Sequence, residues 1–369
     1  MTSGLMISLL MVVLLPGFII TIFIPYWTRK TESFGVSIPE EKYHSAKLQK
    51  MRKKYVYRMI FISIGHIFIL VGIFLITNMP EETFVIVYTA TVFLYLMIGF
   101  FVYLTFHRQM KKLKQKENWF QEKKQQLFVH TKFREQKLSV SHFLFMIPLA
   151  VTLIMIAWTL VNVELFPDEI PLNYSLTGEV TNWTEKSYLT VLFLPITQFV
   201  LTIIFLAVNI VINQAKQQVS ATNPEESLQR NIIFRRRWSM FLFATSIALT
   251  LMFTIAQISL VYQMDSKILM AVFFVTIAGI LGGSLILSIS TGQGGSRIKL
   301  ASSPQQTVID RDDDEHWKLG IFYFNKDDPT LFIEKRFGIG WSINFARPTA
   351  WIFILAVITF AVGIPLLVS

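Results

Sequence analysis

The sequence predicts an all-α integral membrane protein of about eight transmembrane helices with a small β-hairpin module before the last helix. Three observations lead there. Hydrophobic residues make up 53% of the 369-residue chain and charged residues only 16%, with a mean hydropathy of +0.51; an ordinary soluble domain is about 25% charged. The apolar residues gather in runs long enough to cross a hydrocarbon core of about 30 Å. The formal net charge of +10 lies in Lys/Arg blocks between alternate runs, the positive-inside pattern of a membrane protein rather than a nucleic-acid face. The absence of cysteine excludes disulfides, thiolate metal sites, iron–sulfur clusters and Cys nucleophiles.

Residues 1–141 form an N-terminal membrane region of three spans and two basic loops. The run 5–27 is the first span, with Arg29 and Lys30 following it and no small-residue cleavage site, so an uncleaved anchor with its amino terminus outside is expected. Pro16 and Pro25 are tolerated there. Residues 28–58 carry Lys42, Lys47, Lys50, Arg52, Lys53, Lys54 and Arg58 and are placed in the cytoplasm. Ser37 can cap a helix that Pro39, Glu40 and Glu41 would open, with Leu48, Met51 and Tyr55 on one face. Spans 59–77 and 84–106 make an antiparallel hairpin whose tip holds Asn78, Glu81 and Glu82. His66 lies within the first of these spans, and an intramembrane ionisable group is a functional candidate by default. The second basic loop, 107–139, interleaves Lys111, Lys114, Lys116, Lys123, Lys124, Lys132 and Arg134 with Met110, Trp119, Phe120 and Leu127. No nucleic-acid motif accompanies it, so anionic lipid headgroups are the expected partner of both loops.

Residues 142–213 read as a two-span unit around an extracytoplasmic ribbon, 164–187. Pro167 and Pro171 favour extended geometry and Gly178 tolerates positive φ, which predicts two short arms and a turn. The order Pro167-Asp168-x-Ile170-Pro171-x-x-Tyr174-x-x-x-Gly178-x-x-x-x-Trp183-x-x-Lys186, followed by an apolar span with Pro195, resembles the extracytoplasmic signature of the Sdp-immunity-like membrane proteins of Gram-positive bacteria. Members often have His where this chain has Asn173. The resemblance implies a multi-span protein of a kind in which some relatives protect the cell from a secreted toxin and signal its presence. The ribbon's expected recognition set is Pro171, Asn173, Tyr174, Gly178, Trp183 and Lys186, with Tyr174 and Trp183 as amphipathic anchors.

Residues 214–290 are a two-span hairpin entered through Arg235, Arg236 and Arg237, with Gly279 and Gly283 spaced for close helix contact. Residues 291–347 form a cytoplasmic segment. Its glycine-rich start, 291–296, lacks a phosphate-binding Lys and reads as a linker; the run from Asp312 to Glu315 reads as a solvated acidic patch. Two β-rich runs then flank an Asn-Lys-Asp-Asp-Pro turn at 325–329, predicting a hairpin. Trp317, Lys318, Gly320, Tyr323, Asp328, Pro329, Lys335, Arg336, Gly338, Gly340, Trp341 and Asn344 make this segment similar to a short uncharacterised module of bacterial membrane proteins, often found beside the Sdp-immunity-like signature. Trp341 and Phe345 are expected to dock it on the inner surface, and residues 348–369 form the last span.

Within the spans His66 is nearly alone among ionisable groups, which counts against ion-coupled transport. No hydrolase, metalloprotease or dinucleotide motif occurs, and no metal or cofactor is implied. The expected protein is therefore a non-enzymatic, multi-pass, bacterial plasma-membrane protein. It would recognise an extracytoplasmic peptide, toxin or envelope component, with a cytoplasmic protein partner. The alternatives are a permease-like carrier using His66 and a membrane assembly scaffold.

Overall fold

The computed structural model describes residues 3–76, 79–120, 125–126, 136–175, 178–216, 218–262, 264–300, 309–310 and 312–366. Asn78, Lys123, Lys124, Leu127, Lys132 and Arg134, all used in the sequence reading, lie outside the described residues.

Helices dominate: α1 (Ser3–Phe23), α2 (Ala46–Ile76), α3 (Glu81–Glu117), α4 (Met146–Val161), α5 (Tyr188–Gln214), α6 (Pro224–Tyr262), α7 (Ser266–Thr291) and α8 (Pro348–Leu366). Among the described residues, six helices are long and apolar enough to cross a membrane: Ala46–Ile76, Thr83–Glu117, His142–Val161, Tyr188–Gln214, Pro224–Tyr262 and Ser266–Gly295. Two shorter apolar helices, Met11–Tyr26 and Pro348–Thr359, fall where the first and last spans are expected. The protein is thus a multi-pass membrane protein in type, and the exposed Phe61, Phe68, Leu75 and Ile86 on α2 and α3 are the apolar surface that lipid would cover.

The helices pack as two groups. In the first, α2 lies against α3 and both bury Leu14, Phe18 and Ile22 of α1 in one apolar cluster. In the second, α5 lies between α4 and α6, and α7 packs on α6. Contact between α1 and α7 joins them. The polar residues of α5 and α6 tie helix to helix: Asn209 Nδ2 donates to Val140 O at 3.2 Å, and Gln257 Nε2 donates to Val191 O at 2.9 Å and Thr159 Oγ1 at 3.1 Å. A neutral amide bonded to a neighbouring backbone suits a low-dielectric setting. Gly283 lets the Phe241 ring sit 2.8 Å from where a Cβ would be; at Gly279 nothing approaches. Only one of the two expected small-residue contacts is used.

Among the described residues, ten short strands complete the fold: β1 (Glu32–Ser33), β2 (Val36–Ser37), β3 (Gln125–Gln126), β4 (Glu169–Tyr174), β5 (Val180–Glu185), β6 (Ile309–Asp310), β7 (Trp317–Lys318), β8 (Phe322–Tyr323), β9 (Phe332–Glu334) and β10 (Trp341–Ile343). Antiparallel pairs are β1–β2, β4–β5, β7–β8 and β9–β10; β3 and β6 pair in parallel. Strand structure is thus more widespread than one hairpin module.

Several local expectations need correction. Ser37 does not cap a helix: it lies in β2, Glu40–Lys42 makes only a single 3-10 turn, and α2 begins at Ala46. Arg52 does not flank the face of Leu48 and Tyr55 but is buried with them, its guanidinium 4.1 Å from the Tyr43 ring. Asn325–Pro329 is not the hairpin turn. The turns fall at Leu319 and Gly320, both at positive φ, and between β9 and β10, where Gly338 and Gly340 are at φ +107° and +105°. The 291–296 stretch is no free linker: Gln293 and Gly295 are buried, and Gly295 abuts the Arg230 carbonyl.

Candidate functional site

Two structured surfaces lie at opposite ends of α5, and each contains residues singled out from the sequence. The first is the β4–β5 hairpin. Pro171 pairs with Trp183 across it and Tyr174 with Val180. Phe166 and Ile170 point into a small apolar cluster with Val191 of α5 and Leu260 of α6, seating the hairpin on the helix ends. Gly178, at φ +85°, brings the turn within 3.2 Å (Cβ position) of Ser266 and Met270 at the start of α7. Lys186 Nζ pairs with Asp168 at 2.9 Å and donates to Phe166 O at 3.0 Å. Gly178 and Lys186 therefore shape the hairpin. Trp183 is 51% exposed and Asn173 is exposed, so both side chains face outward; Pro171 and Tyr174 are half-buried. Ser187 and Thr190 form a capping box at the start of α5, so β5 runs directly into the helix.

The second surface is the junction between the C-terminal module (309–347), the 24–45 segment and the far ends of α3, α5 and α6. Arg336 is its centre. Fully buried, its guanidinium donates to Asp313, Asp314, Ser37 Oγ (2.9 Å) and Gly35 O (3.3 Å), and lies 5.1 Å from the Trp317 ring. Lys114 of α3 bridges Asp312 and Asp314 at 2.7 and 2.6 Å. Asp312, Asp313 and Asp314 are thus not a solvated patch but the counter-charge of Arg336 and Lys114, while Glu315 remains exposed beside His316. A second ionic cluster adjoins the first. Arg235 Nη1 donates to Ile212 O and Ala215 O, and its Nη2 to Lys216 O, satisfying the last carbonyls of α5; Nη2 also pairs with Glu334 at 3.1 Å. Glu334 further accepts from Asn231 at 2.7 Å and faces Arg29 at 3.6 Å, and Arg29 pairs with Glu32 at 2.9 Å.

The rest of the module locks onto this frame. Lys216 pairs with Asp328, which also accepts the Tyr323 hydroxyl at 2.7 Å. Asn344 Nδ2 donates to the carbonyls of Asn325, Asp328 and Thr330. Gln293 holds both edges of Gly340, accepting its N–H at 2.8 Å and donating to its carbonyl at 3.0 Å. Trp341 lies 5.5 Å from Phe234 of α6, and Phe345 packs on Trp351 of α8, so both expected docking residues meet helices.

Among the described residues of the junction, Arg29, Lys114, Lys216, Arg235 and Arg336 face Glu32, Asp312, Asp313, Asp314, Asp328 and Glu334. Burial and the nearby Asp313 push Glu32 up to about 7 against the pull of Arg29 and Arg336. At Asp314 burial is outweighed by Arg336 and Lys114, which hold it at about 2; at Asp328 the bonds from Lys216 and Thr330 do the same. Burial thus raises the proton affinity of Glu32, where that of Asp314 and Asp328 is lowered by their cations. A polar cavity of about 230 Å³ opens beside Glu32, lined by Arg29, Lys30, Lys216, Arg230, Asp310 and Asp313 among others. Among the described residues no group of three or more His, Asp or Glu is placed to hold a metal.

His66 is buried on α2 between Phe18, at 5.7 Å, and Tyr95, at 5.4 Å, with Nε2 lacking a hydrogen-bond partner. The residues that sequence reading missed are Glu32, Lys216, Arg235, Gln293, Asp313, Asp314 and Glu334. Their signal was present only as acidic and basic runs of matching size, far apart in the chain.

Residues 150–199 match a domain of unknown function, DUF1648, and residues 326–351 match a family of unknown function, DUF5808. Such matches are typical of uncharacterised bacterial membrane proteins. The chain matches no curated protein and no solved structure. The first matched segment contains the hairpin with parts of α4 and α5; the second contains β9, β10 and their connections.

Proposed function

We propose that the protein is a non-enzymatic sensor of a bacterial plasma membrane, recognising an extracytoplasmic peptide or envelope component at the β4–β5 hairpin and passing its presence to the module on the cytoplasmic side. One observation carries this reading: α5 starts at the hairpin through the Ser187 capping box and ends in the grip of Arg235 and Lys216, which hold Glu334 and Asp328 of the module. A displacement of the hairpin has a continuous mechanical route to the ionic junction. Toxin immunity is the specific form that the Sdp-immunity-like resemblance suggests. Eight spans with both termini outside place the basic loops on the inner leaflet, where exposed Lys50, Lys53, Lys54, Lys111 and Lys112 would meet anionic headgroups.

Photo-crosslinking from position 183 in living cells tests recognition: capture of a secreted peptide or envelope component is expected, lost in Tyr174→Ala. Capture of nothing from 183 or 173 in cells that carry normal amounts of the protein would refute it. Orientation is checked separately by an impermeant reagent, which should label a probe at 179 and miss one at 120.

A carrier is the second reading, favoured by the buried, unpartnered His66 Nε2 beside Tyr95. His66→Gln should abolish a pH-dependent flux in a carrier and leave hairpin crosslinking untouched in a sensor.

A further inference from the structure

A second cavity lies where the first helix group meets the module, and its chemistry differs from the polar one. It has a volume of about 500 Å³, within the range of about 300–1,000 Å³ usual for ligand pockets. Its walls are apolar and aromatic: Ile24 from the end of α1, Met59 from α2, Leu96, Gly99 and Phe100 from α3, and Phe322, Phe337 and Phe345 from the module. Leu96 is half-exposed on the outer surface of α3, so the trough continues onto the flank that a bilayer would cover.

Two polar donors share this lining without partners. Lys335 makes no ion pair among the described residues. Burial alone lowers its affinity for a proton, with no carboxylate nearby to offset it. All the carboxylates of the β9–β10 region are spent on other cations, Glu334 on Arg235 and Arg29. The indole N–H of Trp341 is also buried without an acceptor. A half-buried ammonium with no counter-ion and a buried indole N–H with no acceptor would each gain from an anion in this cavity. The rest of the lining is mostly alkyl and aromatic, with the hydroxyls of Thr21, Tyr55, Tyr95, Tyr103 and Ser342 set among it, so an anion with an apolar body that enters from the bilayer side at Leu96 suits the cavity. The group that answers to this is a phospholipid of net negative charge.

We propose that the trough is a specific site for one anionic phospholipid, its acyl chain lying along Leu96, Gly99 and Phe100 and its phosphate held by the Lys335 ammonium and the Trp341 N–H. The site differs from the diffuse attraction of exposed lysines for headgroups. It is confined to a cavity, it takes the tail as well as the head, and it bridges α3 to the module. A bound lipid would then serve as a wedge that fixes the module against the membrane.

Native mass spectrometry of the purified full chain in detergent, supplied with equal phosphatidylglycerol and phosphatidylcholine, tests it. The wild type should retain phosphatidylglycerol with about a tenfold preference, the size expected of one desolvated charge. Lys335→Gln should bring the preference close to unity, Lys335→Arg should keep it, and Gly99→Leu, which fills the trough, should lose retention of both lipids. A melting curve gives an independent readout: phosphatidylglycerol should raise the Tm of the wild type and not that of Lys335→Gln. Equal retention of the two lipids by the wild type, or an unchanged preference in Lys335→Gln, overturns the proposal. Displacement of the lipid by excess inorganic phosphate would overturn the lipid assignment in favour of a free anion.

Discussion

Arg336 shows how one side chain fixes a membrane-surface module. Its planar fork serves Asp313, Asp314, Ser37 and Gly35 at once, which a lysine ammonium cannot reproduce. Arg336→Met strands two carboxylates in a buried site, and breaking such a pair costs about 3–5 kcal/mol. The expected result is rapid proteolytic clipping of residues 309–347 and a lower Tm in nanodiscs, only partly recovered by Arg336→Lys. Glu32 gives a pH signature. Its folded-state affinity for protons is raised, from 4.5 to about 7, so the folded junction binds more protons than the unfolded chain in that window and loses stability as pH rises through it. Amide exchange in the β1–β2 and β9–β10 hairpins should quicken between about pH 5 and 7, and Glu32→Gln should flatten the change. Neither role could be read from the sequence. Arg336 lies 301 positions from Gly35, and nothing local tells a buried arginine from the exposed ones of a basic loop.

At the scale of elements, hydrophobic runs announced the helices, while their ends were set by contacts. Helix α3 runs on to Glu117 because Lys114 reaches Asp312 and Asp314, and α2 opens at Ala46 because the residues before it are held in β1 and β2. The ribbon was legible as two arms and a turn from its prolines and Gly178. The module's turns were not: glycines at 320, 338 and 340 outrank the Asn-Lys-Asp-Asp-Pro stretch, which Asn344 clamps as a loop instead. Gly178→Ala would force a side chain into positive φ against Ser266 and Met270, a cost of about 1–2 kcal/mol. It should loosen the hairpin in exchange measurements while leaving the module unchanged. Trp183→Ala, at an exposed position, should leave stability unaltered and remove only recognition.

For the whole molecule, composition and hydropathy sufficed to identify a multi-pass helical protein, but not how its two helix groups and module lock together. That lock is ionic, and α5 is the element common to both ends. Arg235→Met should detach the α5 terminus from Glu334, so that crosslinking at the hairpin persists while its effect on the module is lost. Limited proteolysis of the module with and without the captured ligand would measure that uncoupling.

The clamp formed by Gln293 also bears on biogenesis. It grips Gly340 with its side chain and Trp27 O, at 2.6 Å, with its backbone, so the opening, middle and closing portions of the polypeptide meet at one amide. A ribosome delivers those portions in sequence. Until the last arrives, Arg235 lacks Glu334, and Glu32 has Arg29 but not Arg336. A nascent chain stopped before position 334 would therefore leave Arg235 without its carboxylate.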